Sequence, residues 1–315
     1  MDPIIFLPLL GSIIGAIIGA HLHKKFNNKK RKSTEMKRIH AILSLCLLAI
    51  AANAQPKAEI EVSYEAHHPN LRNGKDDLKN QYILLANVGE SKFYSPGTEY
   101  VDSLKSTPDG KAKLNEMTRN AYLGGKWDDI PRSDGSYYVV KSGDKYKYYD
   151  NSGLEKYVYE EPVAELGWQI GDYTKTVLGY ECVMATVDYH GRKWTAWFSP
   201  EIPVNAGPWK FAGLPGLILE AAADGNLYSF IATGLQQTDK PITPIYLADE
   251  YEKTDRLGFL KARRSFLDNP LGKINAQFAG SGVSVTKVQN EDGSDASGSL
   301  FVPASVVDLI ETDYH

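Results

Sequence analysis

The chain has 315 residues, 43% of them hydrophobic and 23% charged, with a formal charge of −4. That is enough apolar content for a large folded domain, and it excludes a disordered chain. Residues 1–54 hold eight of the basic and two of the acidic side chains, so the remaining 261 residues carry 27 basic and 37 acidic groups, a charge of −10. Such an acidic balance excludes a general nucleic-acid binder, which needs a basic footprint, and suits a soluble envelope protein.

Residues 3–20 form a stretch of 18 residues without a charge, close to the length of a membrane span. Gly11, Gly15 and Gly19 recur in it at the spacing of packed membrane helices. A basic block from Lys24 to Lys32 follows. Met36-Lys37-Arg38-Ile39-His40 then opens a second pattern: a basic start, an apolar run of 11 residues at 41–51, and the small-x-small site Ala52-Asn53-Ala54. These parts, in this order, make residues 36–54 a secretory signal peptide cleaved after Ala54. Residues 1–35 have two readings. They are either an untranslated extension ahead of a start at Met36, or a membrane-anchoring apolar and basic segment with its lysines in the cytoplasm. The expected location is the periplasm, the outer membrane or the exterior. Cys46 falls within the signal peptide, so Cys182 has no partner for an intramolecular disulfide. A lone cysteine in an exported chain is a reactive or a buried thiol, and its strand context favours burial.

In the exported part, 58–64 alternates apolar and polar residues, as a strand does. Strands are also expected at 81–87 and 92–94. Helix formers at 98–117 predict one or two short helices around Pro108. Residues 136–160 read as a three-stranded meander with turns at Ser142-Gly143-Asp144 and Asn151-Ser152-Gly153. Tyr146 and Tyr148 share a face there, as do Tyr157 and Tyr159; cross-strand pairing explains them better than a stacking platform. One long strand is expected at 174–188, returning through His190-Gly191-Arg192 into 193–198. A strand at 216–222 turns at Asp224-Gly225-Asn226 into 227–233. A helix is expected at 251–267, with Leu257, Leu260 and Ala262 near one face. Residues 280–298, rich in Gly, Ser and Asp, read as loop or frayed hairpin. Neither a repeat nor an interior linker interrupts 55–315, which is expected to be a single β-rich domain.

The most specific stretch is Gly213-Leu214-Pro215-Gly216-Leu217-Ile218. It holds no acid, base or nucleophile. Physically it is a turn entering a buried strand: glycine permits positive φ, and Pro215 drives Leu214 toward extended backbone. The alternative is that its glycines admit a ligand or partner backbone. With Trp168-Gln169-Ile170, the block Gly179-Tyr180-Glu181-Cys182 and the run Trp197-Phe198-Ser199-Pro200-Glu201-Ile202-Pro203, it resembles the GLPGLI family of secreted bacterial proteins. The resemblance covers roughly residues 168–269. It implies export without an established biochemical role, and it supplies no catalytic residue. The Gly-Tyr-x-Cys block followed by a hairpin also resembles lipoprotein-carrier half-barrels. The expected fold is therefore mainly β with a few helices, a large curved antiparallel sheet arranged as a half-barrel or sandwich.

Spacing tests the remaining chemistry. Cys182 and His190 lie eight residues apart on one expected strand, about 26 Å, too far for a nucleophile–base pair. His67 and His68, adjacent in a strand, point to opposite faces. Asp292, Gly293 and Asp295 lack the later glutamate of a calcium loop. Hydrolase, zinc-protease, P-loop and dinucleotide motifs are missing from the sequence, so no cofactor, metal or catalytic residue is expected. The candidate binding residues are Trp197, Glu201, Trp209 and Lys210. Glu201 is held between Pro200 and Pro203; it either faces a pocket between the two tryptophans, caps a turn, or pairs with Lys210. Two functions follow. One is a non-catalytic envelope protein that binds an apolar lipid-like ligand, a peptide or an outer-membrane protein complex. The other is a secreted hydrolase with a carboxylate site including Glu201. A large apolar concavity lined by Trp and Tyr separates the first from the second.

Overall fold

The computed structural model describes residues 56–126, 135, 137–163, 166–242, 245–282, 284–289 and 300–315. The extension, the signal peptide and Asp292, Gly293 and Asp295 lie outside them. The described residues build one mostly β unit, Pro56–His315, around a single 12-stranded sheet. Among them no helix is long and apolar enough to cross a membrane.

The sheet is two meanders joined in its middle. The first runs outward through β1 (Ile60–Pro69), β2 (Asp77–Ala86), β3 (Glu90–Tyr94), β4 (Tyr138–Ser142), β5 (Lys145–Ser152) and β6 (Glu155–Pro162). The chain then begins again at the opposite edge and returns through β7 (Gln169–Val177), β8 (Tyr180–Tyr189), β9 (Arg192–Ser199), β10 (Leu217–Ala223) and β11 (Ser229–Gln237). β11 pairs antiparallel with β1, closing the seam. Two residues, β12 (Glu252–Lys253), extend the β6 edge in parallel.

This connectivity requires the sheet to curl. β6 and β7 stand ten strand spacings apart, which in a flat sheet is about 48 Å. The seven peptide units from Pro162 to Gln169 reach at most about 26 Å. The edges are therefore drawn together, and the open, curved antiparallel sheet expected from the sequence is the one observed.

Four helices complete the described residues: α1 (Pro96–Lys105), α2 (Pro108–Gly124), α3 (Arg256–Asp268) and α4 (Pro270–Gln277). Each starts at a polar cap: Ser95, Thr107, Asp255 and Asn269 accept from a backbone N–H in the first turn, satisfying one of the orphan donors there. Alternation along the strands divides the buried residues. Leu84, Phe93 and Val139 enter the main core. Their chain neighbours Leu85, Tyr94 and Tyr138 enter a small second core on the other face, where Tyr138 donates to Asp102 of α1 at 2.8 Å.

Three expectations change. The strand expected at 174–188 is two strands, β7 and β8, joined at Leu178-Gly179, where both residues have positive φ (52° and 86°). Such a pair suits the right-handed twist of a hairpin. The helix expected from residue 251 starts at Arg256, because Glu252 and Lys253 pair with β6 and Asp255 caps it. Its buried face is Phe259, Leu260 and Leu267, while Leu257 is exposed. The C-terminal residues 300–315, for which the sequence predicts no structure, form an irregular strap that packs back on the core. The Arg192 guanidinium donates to the Leu309 and Ile310 carbonyls, Tyr228 to the Asp308 carbonyl, and the Thr312 amide to the His190 carbonyl.

Candidate functional site

The signature region is packed solid. Trp209, at a positive φ of 52°, packs its ring 5.6 Å from Trp194, tilted, and 5.1 Å from Phe211, edge to face. The core-facing row Ala221, Ala196 and Ala185 crosses β10, β9 and β8 on the same face as Trp194, two residues before Ala196 in β9. Leu214, Leu217 and Ile218 are buried, while Gly213 and Pro215 are exposed. A Cβ on Gly216 would lie 2.1 Å from the Ser199 carbonyl oxygen, and one on Gly207 would lie 2.8 Å from Ile218. Gly216 thus admits the protein's own backbone and Gly207 the Ile218 side chain.

The four candidate binding residues do not converge. Trp197 lies between Ala196 and Phe198 in β9 and so faces the opposite side of the sheet, with the Lys175 ammonium 4.5 Å from its ring centroid. Glu201 is exposed and accepts from the Glu181 amide at 3.2 Å. Trp209 belongs to the solid cluster. Lys210 is fully buried and pairs with Glu161 and Glu311 at 2.7 Å each, so the alternative in which it pairs with Glu201 is not the one observed. Cys182 is buried, and burial pushes its thiol pKa up, so it reads as structural.

Lys210 sits within an ion network that draws on five segments of the chain. Arg256 at the start of α3 donates to Glu311 at 2.7 Å and clamps Asp313 at 2.7 and 2.9 Å. His190 Nδ1 meets Asp313 at 3.1 Å. Burial opposes the charge on Glu311, yet Lys210, His190 and Arg256 outweigh it and hold its carboxyl below the usual range. His190, Glu311 and Asp313 place ligand atoms within 4.8 Å of one another. Lys210 and Arg256 already occupy those carboxylates, so the donor set fits an ion-pair network better than a metal centre.

The concavity lies mainly on the other meander, with Tyr228 and Phe230 at β11 completing its lining. A row of stacked rings crosses it: Phe93 and Tyr82 at 4.8 Å, Tyr82 and Tyr137 at 5.0 Å, Tyr137 and Tyr148 at 5.5 Å, Tyr148 and Tyr159 at 5.0 Å. Tyr148 and Tyr159 are directly opposed in β5 and β6, the cross-strand pairing read from the sequence. Above this row is a cavity of about 430 Å³, roofed by Phe259, Leu260 and Arg263 of α3 and by Leu309 and Ile310 of the strap. The exposed Arg72 and Leu78 mark its rim. Its aromatic lining is Tyr and Phe, without Trp. Burial pushes the Tyr82, Tyr137 and Tyr148 hydroxyls well above their ordinary pKa, so they stay neutral. The cavity lies within the 300–1,000 Å³ typical of small-molecule sites, and it is mostly apolar with a few placed polar groups, as such sites are.

Fold and site together define a class: a curved, open antiparallel sheet with an aromatic cavity on one side, roofed by a helix and a C-terminal strap. Within the chain, the model of the Porph_ging family, described as a protein of unknown function, matches residues 190–220, from the β8–β9 turn through the signature. No curated protein matches. Among solved structures the chain is similar to PNGF-II, at 12% identity over 66% of this chain and 33% of that one, with a TM-score of 0.42. It is also similar to MucB in complex with MucA(peri), at 12% identity over 58% and 52%, TM-score 0.29. A LolA superfamily protein from Nitrosomonas europaea matches at 8% identity over 61% and 92%, TM-score 0.24. The chain spans about a third of the length of PNGF-II. None of these scores reaches 0.5, and the functional reading rests on the site itself.

Sequence reasoning missed Arg263, Asp150 and Glu311. Arg263 meets Asp150 across 113 positions and Lys210 meets Glu311 across 101. The local signal is the mixture of apolar and acidic residues in Asp308-Leu309-Ile310-Glu311-Thr312-Asp313-Tyr314, which marks a tail with apolar groups to bury.

Proposed function

We propose that this is an exported envelope protein of the GLPGLI type, cleaved after Ala54, whose single domain 55–315 binds an apolar ligand in the tyrosine-lined cavity without catalysis. The observation that carries this reading is the cavity: preformed, mostly apolar, and roofed by α3 and the C-terminal strap. A peptide or an outer-membrane partner is the alternative occupant of the same face. The hydrolase reading loses its support, because Glu201 is exposed and distant in role from the other candidates.

The test is to purify the protein from its native envelope and extract it with organic solvent. Mass spectrometry of the extract should show a stoichiometric apolar molecule that is missing from the variant Ala66→Phe, which fills the cavity from β1. An empty cavity, with envelope proteins recovered by crosslinking instead, would move the reading to the protein-partner alternative.

A further inference from the structure

Arg263 gives this cavity a chemical preference. It lines the aromatic cavity and, with Leu71 and Phe301, a second one of about 380 Å³ beside it. Its Nη1 donates to Asp150 Oδ2 at 2.7 Å and to the Asn151 carbonyl at 3.1 Å. A guanidinium carries five N–H donors in a planar fork. Those on Nε and Nη2 have no hydrogen-bond partner among the described residues. Asp150 is itself buried, also accepts from Tyr148 at 3.3 Å, and fixes the orientation of the fork. The geometry is that of a held guanidinium with one edge engaged and the other open.

We propose that the cavity takes an amphiphile with an oxyanion head, carboxylate or phosphate. Its apolar body lies along Tyr137, Tyr148 and Phe259, and its head accepts from the open edge of Arg263. This rests on the reading of the cavity as the ligand site. Asp150 balances the formal charge of Arg263, so the open edge selects by directed donors. A planar fork meets carboxylate or phosphate through paired, charge-assisted bonds. An ammonium head has only donors and would face a second cation. Glu311 also lines the cavity, but Lys210 and Arg256 engage its carboxylate, so it does not repel the head as a bare anion would. Arg72 at the rim adds positive charge along the entry path.

The test is calorimetric titration of the full chain with dodecanoate, dodecyl phosphate, dodecanol and dodecylammonium, all below their micelle concentrations. The two oxyanions should bind about tenfold or more tighter than dodecanol, and dodecylammonium most weakly. Whichever oxyanion binds tighter distinguishes a free fatty acid from a phospholipid head. Arg263→Gln alone leaves Asp150 buried without its cation, so the decisive variant is the neutral pair D150N/R263Q. In it, dodecanol affinity should persist and the oxyanion preference should vanish. Equal binding of dodecanoate and dodecanol to the unaltered protein, or a preference that survives in D150N/R263Q, would overturn the assignment of the head site. Failure of all four probes to bind would overturn the ligand site as well.

Discussion

The two meanders of the sheet use aromatic residues to opposite ends. In β7–β11, Trp194 and Trp209 lie on the alanine-bearing face, both meet Phe211 edge to face, and all three rings are buried. In β1–β6, tyrosines stack side by side at about 5 Å across successive strands, and the space above the row stays open. The aromatic content is similar in kind; the difference lies in what faces it. Small residues beside large rings let a second layer interlock, as dense cores require. A continuous row of rings makes a wall, and a wall needs a roof, which α3 and the C-terminal strap supply. The most recognisable sequence thus marks the scaffold, and the cavity lies mainly in the half with the weaker signature, reaching Phe230 of β11 at the seam.

The largest effect is expected where the strap is anchored between the two halves. Lys210→Met would leave Glu161 and Glu311 without their shared buried cation, at a cost of about 3–5 kcal/mol, read by chemical denaturation. The same network sets an acid limit. The carboxyls of Glu311 and Asp313 are held below their ordinary range; burial opposes this, and Lys210, Arg256 and His190 outweigh it. A depressed folded pKa means that the contribution is fully present above the ordinary carboxylate range and is lost as pH falls through the folded values. Unfolding free energy should therefore drop as pH falls below about 4, and Glu311→Gln should flatten that limb.

Next comes the signature turn. Gly216→Ala forces a Cβ against the Ser199 carbonyl and should cost about 3 kcal/mol. Gly143→Ala, at a positive φ of 60° with open space around it, should cost about 1 kcal/mol. Equal costs at the two positions would mean that the close approach at Gly216 relaxes freely. The smallest effect belongs to Glu201→Gln, within about 0.5 kcal/mol on stability and with ligand binding unchanged. A binding loss there would return function to the signature half.

Much of the fold was legible because it is local. Period-two alternation gave β1, and glycine-containing turns gave the β4–β6 meander. The β7–β8 hairpin was hidden because Leu178 takes a positive φ that its side chain does not advertise. The sheet order required a further step, since only the short link between β6 and β7 discloses that the two ends of the sheet are drawn together. The site was hardly legible at all. The meander tyrosines were visible as cross-strand partners, but a cavity is defined by what roofs it, and the roof arrives from residues 256–268 and 300–315. Lys210 stood out in the sequence, while its partners lie 49 positions upstream and 101 downstream, beyond any pattern in the chain.

The central claim is that the tyrosine half holds a ligand and the tryptophan half does not. Titration of a fluorescent fatty acid, cis-parinarate, into the unaltered protein, Ala66→Phe and Ala196→Phe tests it directly. The unaltered protein should bind at one saturable site. Ala66→Phe should lose that binding with its unfolding free energy within about 1 kcal/mol of the unaltered protein, since the ring enters open space. Ala196→Phe should keep the binding and lose about 1–3 kcal/mol of stability to overpacking. Binding that survives in Ala66→Phe and disappears in Ala196→Phe would contradict the account.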